Sequence, residues 1–247
     1  MSALGWPRWI AHRAGGDAAP ENTLGGVALA ARSGFEAIEV DVRLAADGLP
    51  VVLHDLTLHR TTGQAGRVDH YSSIELSRMR ASVGFEGSEH ALETIPELSM
   101  LLTVAAYHQV KVNLELKGGN ESPGALVAAV ASQLEALAWA LPPQALLISA
   151  FDPELLVAAR TALPLVPRAL LCEQAGHETV ECARALDCRA LNPACAHCSR
   201  ELVEHAREAG LSVCAWTVND HDQARALFAL GVTAVFTDRM AFARLAA

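Results

Sequence analysis

Ala37-Ile38-Glu39-Val40-Asp41-Val42-Arg43 alternates apolar and polar residues without a break. A strand turns successive side chains to opposite faces, so Ile38, Val40 and Val42 share one face and Glu39, Asp41 and Arg43 the other. Two carboxylates two residues apart on one face repel each other unless solvent, a cation or a shared proton relieves them. An edge strand with a wet face satisfies the pattern. So does a strand whose polar face lines a site, and the surrounding chain decides between the two.

Upstream, residues 8–11 are a short apolar run ending at His12-Arg13, and 14–20 read as a loop. A helix opens at Glu21-Asn22-Thr23-Leu24 with Asn22 or Thr23 as its cap, and Gly34 closes it. Downstream, Asp47-Gly48 marks a tight hairpin and residues 51–55 the return strand. A turn centred on that pair sets His54 opposite Asp41. Residues 56–93 are irregular, with a short helical piece at 73–80, and so long an insertion is expected to carry function or form a lid. A helix follows from 94 to about 107, with Pro96 near its first turn.

Lys111-Val112-Asn113-Leu114-Glu115-Leu116-Lys117 alternates again, with Asn113, Glu115 and Lys117 on one face. Beyond it, helices at 124–141, 153–163, 178–186, 199–209 and 220–230 alternate with strands at 146–151, 168–172, 190–192, 212–218 and 234–237. Repeated strand-then-helix order means an α/β protein with a parallel sheet. An open dinucleotide-binding sheet needs a G-x-G-x-x-G turn, which Gly15-Gly16 does not supply. The length suits a (β/α)8 TIM barrel. Nine strands are one too many, and the hairpin strand carrying His54 accounts for the ninth as an antiparallel addition. A single domain over 1–247, with the insertion at 56–93, is the expected organisation.

The chain has 247 residues, 51% hydrophobic and 19% charged, enough for a sizeable core. A net charge of −9 argues against a nucleic-acid partner. No apolar stretch is long enough for stable membrane insertion, and residues 1–10 lack the basic-then-apolar pattern of a leader. All six cysteines fall between Cys172 and Cys214, which suits reduced thiols in a cytoplasmic protein. Cys195-Ala196-His197-Cys198 has the shape of half a zinc site, but no second pair completes it. His59, His70, His90, His108, His177, His205 and His221 are expected in surface or loop positions.

Active sites of such barrels lie at the C-terminal ends of the strands. His12, Arg13, Glu39, Asp41, Glu115, Lys117, Ser149 and residues 216–219 fall there, and the hairpin adds His54. Glu39, Asp41 and Glu115 make an all-oxygen set suited to one hard divalent cation, Mg2+ or Ca2+. Three carboxylates and a phosphodiester against a divalent cation, Arg13 and Lys117 leave no net charge. His12 and His54 can then remove one proton and deliver another. Glu21 and Asn22 either start a helix or brace Arg13. Trp216 is either a wall of the pocket mouth or a core residue, and Ser149 either meets substrate or fills a barrel layer.

In order along the chain, His12-Arg13, Pro20-Glu21-Asn22-Thr23, Glu39-x-Asp41, Asp47-Gly48 with His54-Asp55, Asn113-x-Glu115-x-Lys117, Ser149-x-Phe151 and Trp216-Thr217-Val218-Asn219 resemble the motifs of the glycerophosphodiester phosphodiesterases. The resemblance implies a TIM barrel that hydrolyses glycerophosphodiesters to glycerol 3-phosphate and an alcohol with a divalent metal. It implies Glu39, Asp41 and Glu115 as metal ligands, His12 and His54 as the acid–base pair, and Arg13 and Lys117 on the phosphate. Trp216, read as a pocket wall, is taken with them as a substrate contact. Beside the resemblance, Glu21, Asn22 and Asn113 are expected to support that set from behind, and the insertion, if it forms a lid, to set the choice of alcohol. One position departs: the family reads His-Arg-Gly where this chain has Ala14, which is strained if the backbone there needs positive φ. Two other readings compete. A metal-dependent amidohydrolase barrel would begin with His-x-His, which is absent at His12-Arg13-Ala14. A catalytically silent barrel that only holds a phosphate ligand would not need the histidine pair.

Overall fold

The computed structural model describes residues 4–245; the first three residues of the segment read above for a leader lie outside the described residues. Eight parallel strands close into a barrel: β1 (Trp9–Ala11), β2 (Ala37–Leu44), β4 (Lys111–Leu116), β5 (Leu146–Ala150), β6 (Arg168–Cys172), β7 (Ala190–Pro193), β8 (Ser212–Ala215) and β9 (Ala234–Thr237). Closure is made by β1, which pairs with β9 through Ile10↔Phe236 and with β2 through Ala11↔Ile38. The ninth strand, β3 (Pro50–Val52), runs antiparallel to the far end of β2. Helices α1 (Leu24–Ser33), α4 (Leu98–Tyr107), α5 (Pro123–Ala136), α6 (Pro153–Ala162), α7 (His177–Ala185), α8 (Arg200–Glu208) and α9 (His221–Leu230) return the chain outside.

Local chemistry sets the helix ends. Thr23, not Asn22, caps α1 by accepting from the Gly26 N–H at 3.2 Å, and Gly34 stops it in a left-handed turn at φ 100°. Ser122, Asp152, Ser199 and Asp220 cap α5, α6, α8 and α9 in the same way. Pro96 does not enter α4, which begins two residues later. Its carbonyl accepts from Val52 N at 3.0 Å, so the segment is held extended beside β3. The helix expected at 124–141 ends at Ala136, and the piece at 73–80 is a single turn, α3 (Ser73–Leu76).

Strand alternation produces two cores. Outward residues such as Ile38, Val40, Val42, Leu114, Ile148 and Leu191 pack under the helices. Inward residues at the N-terminal end of the barrel, Ile10, Ala37, Leu147, Ala169, Ala190, Cys214 and Ala234, fill its interior. One step further along the strands the interior turns polar, with Glu39, Asn113, Ser149 and Asn192 all buried. The carboxylate strand is therefore no wet edge: β2 lies between β1 and β4, and Glu39 and Asp41 are 2% and 1% exposed.

The insertion contains α2 (His59–Thr62) and α3 and packs a small core of Leu58, Val68, Leu76 and Ala81 against Val51, Leu53 and Ile95. None of residues 56–93 lines the central pocket.

Candidate active site

A pocket of ≈250 Å³ opens at the C-terminal end of the barrel, lined by His12, Arg13, Glu39, His54, Asn113, Glu115, Lys117, Phe151, Glu173 and Trp216 among others. Glu39, Asp41 and Glu115 each turn one carboxylate oxygen into a group whose atoms lie within 4.8 Å of one another. The β2–β4 register explains this, since Asp41 pairs directly with Glu115 and Glu39 with Asn113.

Each carboxylate is held differently. The Glu39 Oε2 accepts from the Arg13 backbone N–H at 2.9 Å, while Oε1 is buried with no hydrogen-bond partner. Asn22 clamps Asp41 twice, donating from Nδ2 at 2.8 Å and accepting the Asp41 N–H at 3.1 Å. Lys117 lies 3.1 Å from Asp41 and in closer contact with Glu115. Burial, reinforced by Asp41, pushes the Glu39 carboxyl up to about 8 and raises Glu115 as well. Burial also opposes ionisation of Asp41, but Lys117, His54 and Arg13 outweigh it and hold its pKa below the usual value. A hard divalent cation fits this group on the chemistry of its donors: oxygens only, one of them orphaned, and one carboxyl that cannot comfortably ionise without added positive charge.

The turn after β1 aims Arg13. Arg13 and Ala14 both adopt left-handed backbone, at φ 52° and 57°, so Ala14 carries the strain anticipated from its sequence, about 1–2 kcal/mol. The Arg13 carbonyl recovers part of it by accepting from Asn22 N at 2.8 Å. Gly15 is required next, because a Cβ there would strike the backbone oxygens of Ala19 and Pro20. The Arg13 guanidinium reaches Glu21 at 3.2 Å and lies 3.7 Å from Asp41.

The two histidines are presented by two different carboxylates. His12 Nδ1 donates to Asp238 at 2.7 Å, leaving Nε2 toward the pocket, 3.9 Å from Glu39. His54 Nδ1 donates to Asp55 at 2.6 Å. Burial disfavours the imidazolium at both. At His12 the Asp238 bond and the Glu39 charge overcome it and raise the pKa. At His54 burial prevails, with Lys117 and Arg13 adding to it, and the pKa is lowered. His54 does not pair with Asp41 as the hairpin reading expects. Residues 45–49 form a five-residue loop, so Val42 meets Val52 and Leu53 N bonds to Asp41 O at 3.0 Å. His54 comes one residue later, past the end of β3, and still lines the pocket.

Asn113 and Ser149 project into the barrel with side-chain oxygens that have no partner, as does Asn192 on β7. Trp216 is a wall of the pocket: its indole N–H donates to the Asn192 carbonyl at 2.8 Å and its ring meets Phe151 edge-on at 5.6 Å. The sequence assigned no role to Asp238, Asp55, Arg60 or Phe151. Asp238 is the first residue past β9, where the strand-end rule already pointed, and Asn219 holds it through bonds of 2.7 and 2.8 Å. Arg60 binds both Glu21 and Asp55, each at 2.6 Å, and nothing local in the sequence announced it. Cys195 and Cys198 are free, and no cysteine joins a metal-capable group among the described residues.

Residues 12–242 match the model of the glycerophosphoryl diester phosphodiesterase family. A glycerophosphodiester phosphodiesterase of Caldanaerobacter subterraneus is 29% identical over 93% of both chains, and one from Bacillus altitudinis is 29% identical over the same shares. Among solved structures, an Oleispira antarctica phosphodiesterase in complex with the product sn-glycerol-3-phosphate superposes with a TM-score of 0.91 and 33% identity, covering 100% of this chain and 99% of that one. Barrel, carboxylate group and family match converge on one conclusion: the chain belongs to the glycerophosphoryl diester phosphodiesterase family.

Proposed function

We propose that this chain hydrolyses glycerophosphodiesters to glycerol 3-phosphate and an alcohol, with one Mg2+ or Ca2+ ion held by Glu39, Asp41 and Glu115. The observation that carries the reading is the meeting of three buried carboxylates, two histidines and two cationic side chains in one small pocket. The ion, when bound, supplies Lewis-acid polarisation of the phosphoryl oxygens. Arg13 and Lys117 hold the phosphodiester anion, and the Phe151–Trp216 pair gives the substrate's carbon skeleton an apolar wall.

The histidines divide the proton work because their surroundings push them apart. His54, biased toward neutral, takes the proton from the attacking oxygen, which belongs to water, or to a glycerol hydroxyl whose cyclic phosphate product a water then opens. His12, biased toward imidazolium by Asp238, gives its proton to the departing alkoxide as the P–O bond breaks. Asp238 and Asp55 orient the rings so that each Nε2 faces the substrate. Asn113, Ser149 and Asn192 offer hydrogen bonds at the pocket floor.

The chain acts as a single catalytic domain over residues 1–247, with residues 56–93 as an insertion that braces Glu21 and Asp55 through Arg60. Among the described residues no helix is long and apolar enough to cross a membrane. Six unpaired cysteines favour the reducing cytoplasm. The test is release of glycerol 3-phosphate from glycerophosphocholine, with and without chelator, alongside His12→Ala. Turnover that survives both changes overturns the reading, as does tight binding of the diester with no product released.

A further inference from the structure

A second group of metal-capable side chains lies on the outer helical layer, apart from the barrel pocket. His177 opens α7, Glu181 sits one turn later on the same face, and His205 comes across from α8. One ligand atom from each lies within 4.8 Å of the other two. The two imidazoles stack at 4.1 Å between centroids and 19° between planes. His205 Nε2 is buried without a hydrogen-bond partner and faces Glu181 Oε1 at 3.7 Å. The other Glu181 oxygen is fixed by Arg184 at 2.7 Å, which leaves Oε1 turned toward the histidines.

We propose that His177, Glu181 and His205 bind a divalent transition-metal ion of the Zn2+, Co2+ or Ni2+ kind. Neutral imidazole is a common metal ligand, through Nε2 or Nδ1. Two nitrogens and one oxygen match the borderline ions, unlike the all-oxygen group in the barrel. Tetrahedral binding at about 2.1 Å needs ligand atoms about 3.4 Å apart. The His205–Glu181 pair at 3.7 Å is close to that already, and the exposed His177 has to turn out of the stack so that its in-plane lone pair meets the same point. Both histidines line a groove of ≈670 Å³ that also carries Glu201, Glu204 and Glu208 against Arg200 alone. The groove leaves the remaining coordination positions to water, and its excess of carboxylates attracts a cation. Three protein ligands with an open position would tie α7 to α8.

The test is a Co2+ titration of the metal-free full-length chain, read by equilibrium dialysis and by its visible spectrum. The wild type is expected to bind one ion more than His177→Ala/His205→Ala, and the ion lost carries no thiolate charge-transfer band. Glu181→Gln is expected to weaken that ion by about tenfold or more. Because this group lies apart from the barrel pocket, the double variant should keep its hydrolytic activity. Equal ion counts in wild type and double variant overturn the proposal, and so does a thiolate band on the ion that is lost. Should the double variant fail to fold, unchanged Co2+ affinity in Glu181→Gln overturns it by itself.

Discussion

Removing the cation should make the protein's stability fall with rising pH, and Glu39 should be the cause. Burial and the neighbouring Asp41 raise its carboxyl from 4.5 to about 8. A carboxyl raised on folding leaves stability intact below pH 4.5 and drains it as the pH climbs toward 8, because the folded state must then give up a proton it prefers to keep. The full shift amounts to about 5 kcal/mol, of which under about 1 kcal/mol is spent by pH 5. For a chain of this size that difference is roughly 10 °C or more in Tm. The assay is thermal unfolding of chelator-treated protein at pH 5 and pH 8, with and without saturating Mg2+ or Ca2+. Added cation should restore most of the loss at pH 8 and change little at pH 5. Glu39→Gln removes the largest of these shifts, and metal-free protein carrying it should show a clearly smaller drop between the two pH values, the remainder coming from Glu115 and His12, whose pKa values are also raised. If Glu39→Gln and wild type show the same slope without metal, the buried charge is not the source and the cation site is misread.

His12→Ala and His54→Ala should each lower kcat by about 10²–10⁴-fold, the usual range for a lost proton-transfer group, in a glycerol 3-phosphate release assay. Asp238→Asn should retain the fold and move the His12 limb of the pH–rate profile to lower pH, because the carboxylate that supports the imidazolium is gone. An unmoved limb would mean that Asp238 only tethers the chain after β9. Lys117→Ala strips Asp41 and Glu115 of their nearest cation, so it should raise KM for the phosphodiester and tighten binding of the divalent ion, read by calorimetry. Arg60→Ala releases Glu21 and Asp55 together. It should lower kcat less than His54→Ala does, since His54 keeps its hydrogen bond to Asp55.

Most of this site is legible in the sequence because barrel strands convert spacing into position. Glu39-x-Asp41 and Asn113-x-Glu115 put four polar side chains on inward faces, and the parallel register needs only to match Asp41 with Glu115. A loop is less forgiving. The Asp-Gly pair at 47–48 suggests a two-residue turn, yet the chain uses five residues from 45 to 49, and one residue of slip moves His54 off the strand. His54 still arrives, because what places it is its bond to Asp55 and the pocket wall, not a ladder partner. Asp238 was readable by position and overlooked by chemistry, since a carboxylate after the last strand looks like any helix cap. Arg60 was not readable, because its contacts with Glu21 and Asp55 exist only once a 38-residue insertion (56–93 in the sequence) has folded against β3. The same limit separates the two candidate metal sites. The barrel site announces itself through strands of known register, whereas His177 and Glu181 show only a helical i, i+4 pair, and their third ligand is supplied by the packing of α7 on α8. Hard-oxygen chemistry inside the barrel and imidazole chemistry outside it then follow from the same rule: a ligand set is identified by which atoms the fold leaves without a partner, Glu39 Oε1 in one case and His205 Nε2 in the other.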